Sequence, residues 1–312
     1  MLAPHRHPTR RTLRRLLLLL ALLALAACHS RDQATGGDRI ESPEATVRQS
    51  LALLREGDFD GFWRHALPPP DYAMLRDDWH LAHGDAPLSN ATEPTPIDAT
   101  LRQLHAPDAE EAIDAQLQPW LANTQARYGD QLPLLVGIGR AIVDRAVANE
   151  PRLSEAQKRD ATALVQALVP WAQQAPWFDP DRARRAVRIA VATAGEPELR
   201  DADGLHPPDF AQAMRRYAVA FAGFKRILAL YGLSVDQVLA SAHVVPLDYH
   251  PPYARVRIEY EVLGTPLSVE ASLVLQNGRW YDQDLVESVR RSHRELAAPA
   301  ATASAATVAT DD

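Results

Sequence analysis

His80 and His83 are the best-placed metal ligands in the chain, because side chains at i and i+3 share one face of a helix. Asp77, Asp78 and Asp85 stand near enough in sequence to complete a shell. The run lacks the glutamate of an HExxH motif, and histidines at a helix C-terminus also suit its dipole with no metal present. Gly137-Ile138-Gly139-Arg140 is half of a dinucleotide fingerprint, but Ile142 stands where the third glycine belongs. It reads instead as small residues that let helices pack closely. No GxSxG nucleophile elbow occurs. The adjacent carboxylates Asp77-Asp78 and Glu110-Glu111 diverge by about 100° around a helix, so neither makes an acid/base pair by itself. Tyr260 and Trp280 would line an apolar ligand pocket if they share a concave sheet face. These residues assemble no catalytic constellation and call for no cofactor.

The chain has a single cysteine, Cys28, which excludes an intrachain disulfide and a cysteine-cluster metal site. What precedes it is distinctive. Arg10, Arg11, Arg14 and Arg15 lead into Leu16–Ala27, twelve residues of leucine and alanine only. As a helix this block spans about 18 Å, short of the ~30 Å bilayer core, so it reads as the apolar region of a secretory signal. The sequence Leu25-Ala26-Ala27-Cys28 resembles the lipobox of bacterial lipoproteins. The resemblance implies cleavage before Cys28, lipid on its sulfur, and His29 in place of the aspartate that retains such proteins at the inner membrane. It therefore implies an outer-membrane anchor, with the body of the protein facing the periplasm. Thr9-Arg10-Arg11-Thr12-Leu13 also looks like part of a twin-arginine signal, although Arg14 interrupts that pattern; general secretion is preferred.

Removing Met1–Ala27 takes away five arginines and no acids, which leaves 28 basic and 40 acidic groups, a net charge of −12. That balance disfavours nucleic acid and anionic headgroups as partners. It leaves the membrane, reached through the N-terminal lipid, and an envelope protein as the partners to expect. The 46% apolar content over 312 residues supports a folded body. With no disulfide, burial must hold it together.

The elements follow from periodicity. Residues 28–41 read as a flexible tether, and residues 297–312, rich in Ala, Thr and Ser, as a disordered tail. Ser42-Pro43 and Asp58 start two short helices, and Pro68-Pro69-Pro70 stops the second. Further helices are predicted over 71–83, 107–128, 131–149, 155–173 and 180–194, with Ser154 and Gln157 forming a capping box. Residues 85–96 read as a loop. Phe210, Met214, Tyr217, Phe221, Phe224, Leu228 and Tyr231 recur at spacings of four and three, which predicts a helix over 209–231 with one apolar face. After Ser241 the period becomes two. Val256, Ile258, Tyr260 and Val262 alternate with charged residues, and Leu267, Val269, Ala271, Leu273 and Leu275 alternate likewise. Gly264-Thr265 suits a type II′ turn and Asn277-Gly278 a type I′ turn, while Pro246 sends the first strand to an edge. Asp284 is read as the cap of a last helix.

The fold class is thus α+β: a helical region over 42–240, then a four-stranded antiparallel meander with a terminal helix over 241–296, which can share one core with 42–66. The opening Ser42–Val47 and Glu56-Gly57-Asp58-Phe59, with the closing Asn277-Gly278-Arg279-Trp280-Tyr281, resemble the ends of secreted NTF2-like (cystatin-like) domains. That resemblance implies a curved sheet wrapped by N-terminal helices and carries no catalytic residues. As a whole the chain is similar to Gram-negative lipoproteins of this arrangement. The preferred expectation is a non-catalytic envelope component. The alternatives are an NTF2-like carrier of a small apolar ligand at Tyr260 and Trp280, and a metal-dependent hydrolase at His80 and His83.

Overall fold

In the computed structural model the described residues are 41–84, 96–200 and 205–308. Cys28, the lipobox and all of the tether before Glu41 lie outside them, as do residues 85–95. Ser42 opens helix α1 (Pro43–Glu56): its hydroxyl accepts the Ala45 N–H at 3.2 Å, and Gly57 closes the helix at φ 76°, a conformation that costs glycine little. Asp58 caps α2 (Phe59–Ala66) through the Gly61 N–H at 2.8 Å. The triple proline does more than stop α2. Pro69 and Pro70 form the first turn of α3 (Pro69–His83), where a fixed φ and a missing N–H do no harm.

Helix α4 (Pro96–Leu104) was not anticipated. There follow α5 (Ala109–Tyr128), a 3₁₀ turn at Gly129–Gln131, α6 (Leu132–Ala148), α7 (Glu155–Gln174), α8 (Pro180–Ala194), the single turn α9 (Pro197–Arg200), α10 (Phe210–Leu230) and α11 (Val235–Ala240). Ser154 and Gln157 make the reciprocal capping box at α7, with bonds of 3.2 and 2.9 Å. The apolar stripe of α10 is only partly spent on the core. Phe210, Met214 and Phe221 are buried, but Phe224 is 43% exposed. The reason is Gly223, where any Cβ would collide with Thr193: the close face of α10 meets α8 through that glycine, and Phe224 turns outward.

The chain ends in a meander of order β1-β2-β3-β4, all antiparallel: β1 (His243–His250), β2 (Tyr253–Val262), β3 (Thr265–Gln276) and β4 (Arg279–Asp282). The protein is mainly helical, with this sheet packed on helices. Pro246 sits in the edge strand β1, at a register shift before Asp248. Asn277-Gly278 has both residues at positive φ, the type I′ geometry. The other hairpin departs from expectation. Val262 pairs with Thr265, so the turn is Leu263-Gly264, at φ 54° and 80°, again type I′. The inward pairing of Tyr260 with Leu267 fixes this register, and a leucine accepts a left-handed conformation costing about 1–2 kcal/mol.

Helix α12 (Gln283–Val308) also corrects two readings. Its cap is Asp282, whose carboxylate accepts the Leu285 N–H at 2.9 Å, while Asp284 accepts a bond from the Gln157 amide at 3.0 Å. The segment from Ala297, read as a disordered tail, continues this helix as far as Val308, in keeping with its alanine content.

One core joins both ends of the chain. Val47, Leu51 and Leu54 of α1 and Phe62 of α2 pack with Val256, Ile258 and Tyr260 of β2, with Leu273, and with Trp280. Ala167 of α7, flanked by Leu164 and Leu168, joins the same cluster, so the helical region and the sheet share it. On the other side of the β3–β4 end, Tyr281 packs with Leu67 and with Val286 and Val289 of α12. The remaining outer face is charged: Arg257 pairs with Glu270 at 3.2 Å, and Arg255 with Glu270 and Asp248. No described helix is long and apolar enough to cross a membrane.

Candidate functional site

The polar residues that the fold brings together lie between α3 and α12. Asp71 and Asp78, two turns apart on α3, are both buried. Arg290 of α12 makes a bidentate contact to Asp71 at 2.6 and 2.8 Å, and Nδ1 of His293 lies 2.8 Å from the Asp78 carboxylate. Hydrogen bonding and the charge of Asp71 hold the Arg290 guanidinium above its ordinary pKa. This arrangement clamps the last helix onto the third. It leaves neither carboxylate open to a substrate.

His80 and His83 do not meet a common ligand position. His80 is exposed, whereas the His83 ring stacks on Trp79 at 4.0 Å, with Nδ1 placed 3.0 Å from the Trp79 carbonyl. His206 lies parallel beyond it, 5.4 Å away at 8°. The Trp79 indole N–H donates to the Pro207 carbonyl at 2.8 Å, and Phe210 and Tyr217 meet its edges. Parallel rings put their π-faces together, whereas chelation needs nitrogen lone pairs converging on one point. Asp78 is engaged by His293, and Asp85 lies outside the described residues. No group of three or more His, Cys, Asp or Glu side chains in metal-holding geometry occurs among the described residues. Sequence reading found His83 but missed His206, because the two are joined only by the return of α10 to the end of α3.

Tyr260 and Trp280 do share the inward face of the sheet, as the alternation required, but they are packed there at 5% and 1% exposure. Burial, aided by the charge of Asp160, pushes the Tyr260 phenol up to about 12, so it stays neutral and non-nucleophilic near neutral pH. Trp280 meets the Tyr249 ring at 5.7 Å, and its indole N–H has no hydrogen-bond partner among the described residues. Two clefts of the described surface lie away from this pair: one between the end of α6 and the start of α7, lined by Val147, Lys158 and Arg159, and one on α8 and α10, lined by Arg185, Arg188 and Arg226. Both are open to solvent.

Burial pushes the Asp282 carboxyl up to about 6, the largest displacement of a described acid. Its contact is the backbone at the start of α12, where a cap belongs. Gly137 and Gly139 of α6 have open space where a side chain would project, so they do not mark close packing between helices. No protein-family model, curated protein or solved structure matches the chain.

Proposed function

We propose that the protein is a lipoprotein held in the outer membrane through Cys28, with its α+β body in the periplasm serving as a non-catalytic binding or accessory component of the envelope. The observation that carries the proposal is the order of residues around the only cysteine: arginines, then twelve leucines and alanines that end in Leu25-Ala26-Ala27, then Cys28. Two or three acyl chains at one residue give a stable attachment, which a single chain does not. The fourteen residues from Cys28 to Glu41 can reach no further than about 50 Å. They hold the body near the bilayer without fixing its orientation. The non-catalytic half of the proposal is supported by how the acids and imidazoles are used: Asp71, Asp78 and His293 tie helices together, and His83 is stacked against Trp79.

Mass spectrometry of the N-terminal peptide from cell envelopes tests the anchor. The expected product begins at Cys28 and carries acyl chains, and Cys28→Ala releases the protein into an alkaline wash. A mature chain beginning elsewhere, or bearing no fatty chain, overturns the proposal. Covalent capture in intact cells then identifies the envelope partner.

A further inference from the structure

Helix α6 is apolar on two opposite faces. Leu132, Val136 and Val143 are half-buried and Val147 is buried along one side of the helix, whose packing neighbours are α7 and the 3₁₀ turn. The opposite side carries Leu134, Leu135, Ile138 and Ile142 at 63, 42, 50 and 59% exposure. At 100° per residue these four fall within about one third of the circumference, so they form one continuous strip. Between the two faces the helix carries the Arg140–Asp144 ion pair, so one apolar face is packed and the other is bare. A cluster of this kind on a soluble body marks a contact surface.

We infer that this strip lies in the interfacial layer of a phospholipid bilayer, with α6 parallel to the membrane plane. Three observations select lipid as the occupant. First, residues 116–143 carry only Arg127, Asp130 and Arg140 as charges, in a chain of net charge −7, so this stretch meets a membrane without the repulsion that the acidic remainder would bring. Second, the strip extends over nine residues, from Leu134 to Ile142, about 12 Å of helix, too little to supply the ~800 Å² per partner of a stable dimer. Two acidic copies would also repel each other. Third, the strip is an exposed ridge with Gly137 and Gly139 standing open beside it, and a fluid bilayer accommodates a ridge where a rigid partner would need a matching groove. The inference rests on the proposed function only for the short tether that keeps α6 near the surface.

The test uses the full chain purified from envelopes and reconstituted in phosphatidylcholine vesicles whose acyl chains are brominated. An environment-sensitive fluorophore is placed at Ile138→Cys and, for comparison, at Glu198→Cys, an exposed site on α9. Quenching at 138 at least threefold greater than at 198 is the expected result, and adding Ile142→Asp should at least halve it. Equal quenching at the two sites, in a chain that floats with the vesicles, overturns the inference and leaves the anchor standing. Probe-to-probe contact between two copies at position 138, without quenching, overturns it in favour of a dimer. Quenching at 138 in a chain whose N-terminus carries no acyl group supports the α6 contact and removes the anchor. Failure to float overturns the contact, and the mass of the N-terminal peptide then judges the anchor separately.

Discussion

The sheet with its surrounding helices and the helical tier over residues 96–200 use apolar side chains in opposite ways. The largest side chains sealed from solvent are Trp280, Leu51, Leu67, Leu199, Leu239, Ile258, Leu273 and Val256, and of these only Leu199 belongs to the tier. Half of the apolar residues that the tier buries are alanines, Ala109, Ala167, Ala175, Ala183 and Ala194, while it exposes Trp120, Leu134, Ile138 and Ile142. The difference follows from geometry. Alternating strands commit every second residue to one face, so β2 must bury Ala254, Val256, Ile258, Tyr260 and Val262 together. Helices joined through alanines approach closely and bury little area per residue. Stability is therefore concentrated around the sheet, and the tier keeps its large apolar groups for other contacts.

Trp280→Ala should give the largest effect, a loss of about 4 kcal/mol in urea unfolding, since it empties the centre of the shared core. Val187→Ala, at a buried site on α8, should cost about 1 kcal/mol by the same measurement. Equal losses at the two sites would abolish the contrast.

The next effect concerns pH at the junction of β4 and α12. The ordinary Asp282 value of 3.8 is pushed up to about 6 in the folded chain by burial. The folded state thus binds this proton more tightly than the unfolded state does. The contribution of Asp282 to stability is least above the folded value, grows as pH falls through about 6, and is complete below about 4, reaching at most about 3 kcal/mol. Asp282→Asn keeps a capping oxygen and cannot titrate. The difference between wild type and variant should therefore change by this amount between pH 7 and pH 4 in parallel denaturation curves, and a pH-independent difference would refute the account.

Arg290→Ala comes third. It strands Asp71, whose side chain is only 4% exposed, but the Arg290 side chain is 44% exposed and so partly solvated. The expected loss is about 2 kcal/mol, and Asp71→Asn in the same chain should restore most of it. Failure of the second substitution to recover stability would place the role of Arg290 outside this pair.

Legibility in the sequence divided along similar lines. Local signals were decisive where they coincided. Asp179 and Pro180 start α8 at the anticipated residue, and strict alternation locates β2 and β3. What the sequence hid was set by distant packing. Asp71 meets Arg290 across 219 positions, and His83 meets His206 across the whole tier, pairings that no spacing rule encodes. The Leu263-Gly264 turn was misplaced by one residue because the pairing of Tyr260 with Leu267 outweighed the local preference for glycine in the first turn position. In the partial fingerprint Gly137-Ile138-Gly139 both glycines face open space, and the isoleucine between them is an exposed apolar side chain.

Ile138 gives the smallest expected effect on stability and the sharpest view of the contrast. Its side chain is half in solvent, on the face of α6 turned away from α7, so Ile138→Ser should shift the urea midpoint by less than the equivalent of about 0.5 kcal/mol. A buried isoleucine of the sheet such as Ile258, at 1% exposure, should lose several times as much on the same change, because there the hydroxyl enters an apolar core. If both substitutions proved equally damaging, the strip on α6 would be part of the packed structure in solution and the tier would hold no reserve of apolar surface. If Ile138→Ser leaves the midpoint in place, the residue is free of any duty to the fold, and its aliphatic character must answer to something outside the chain.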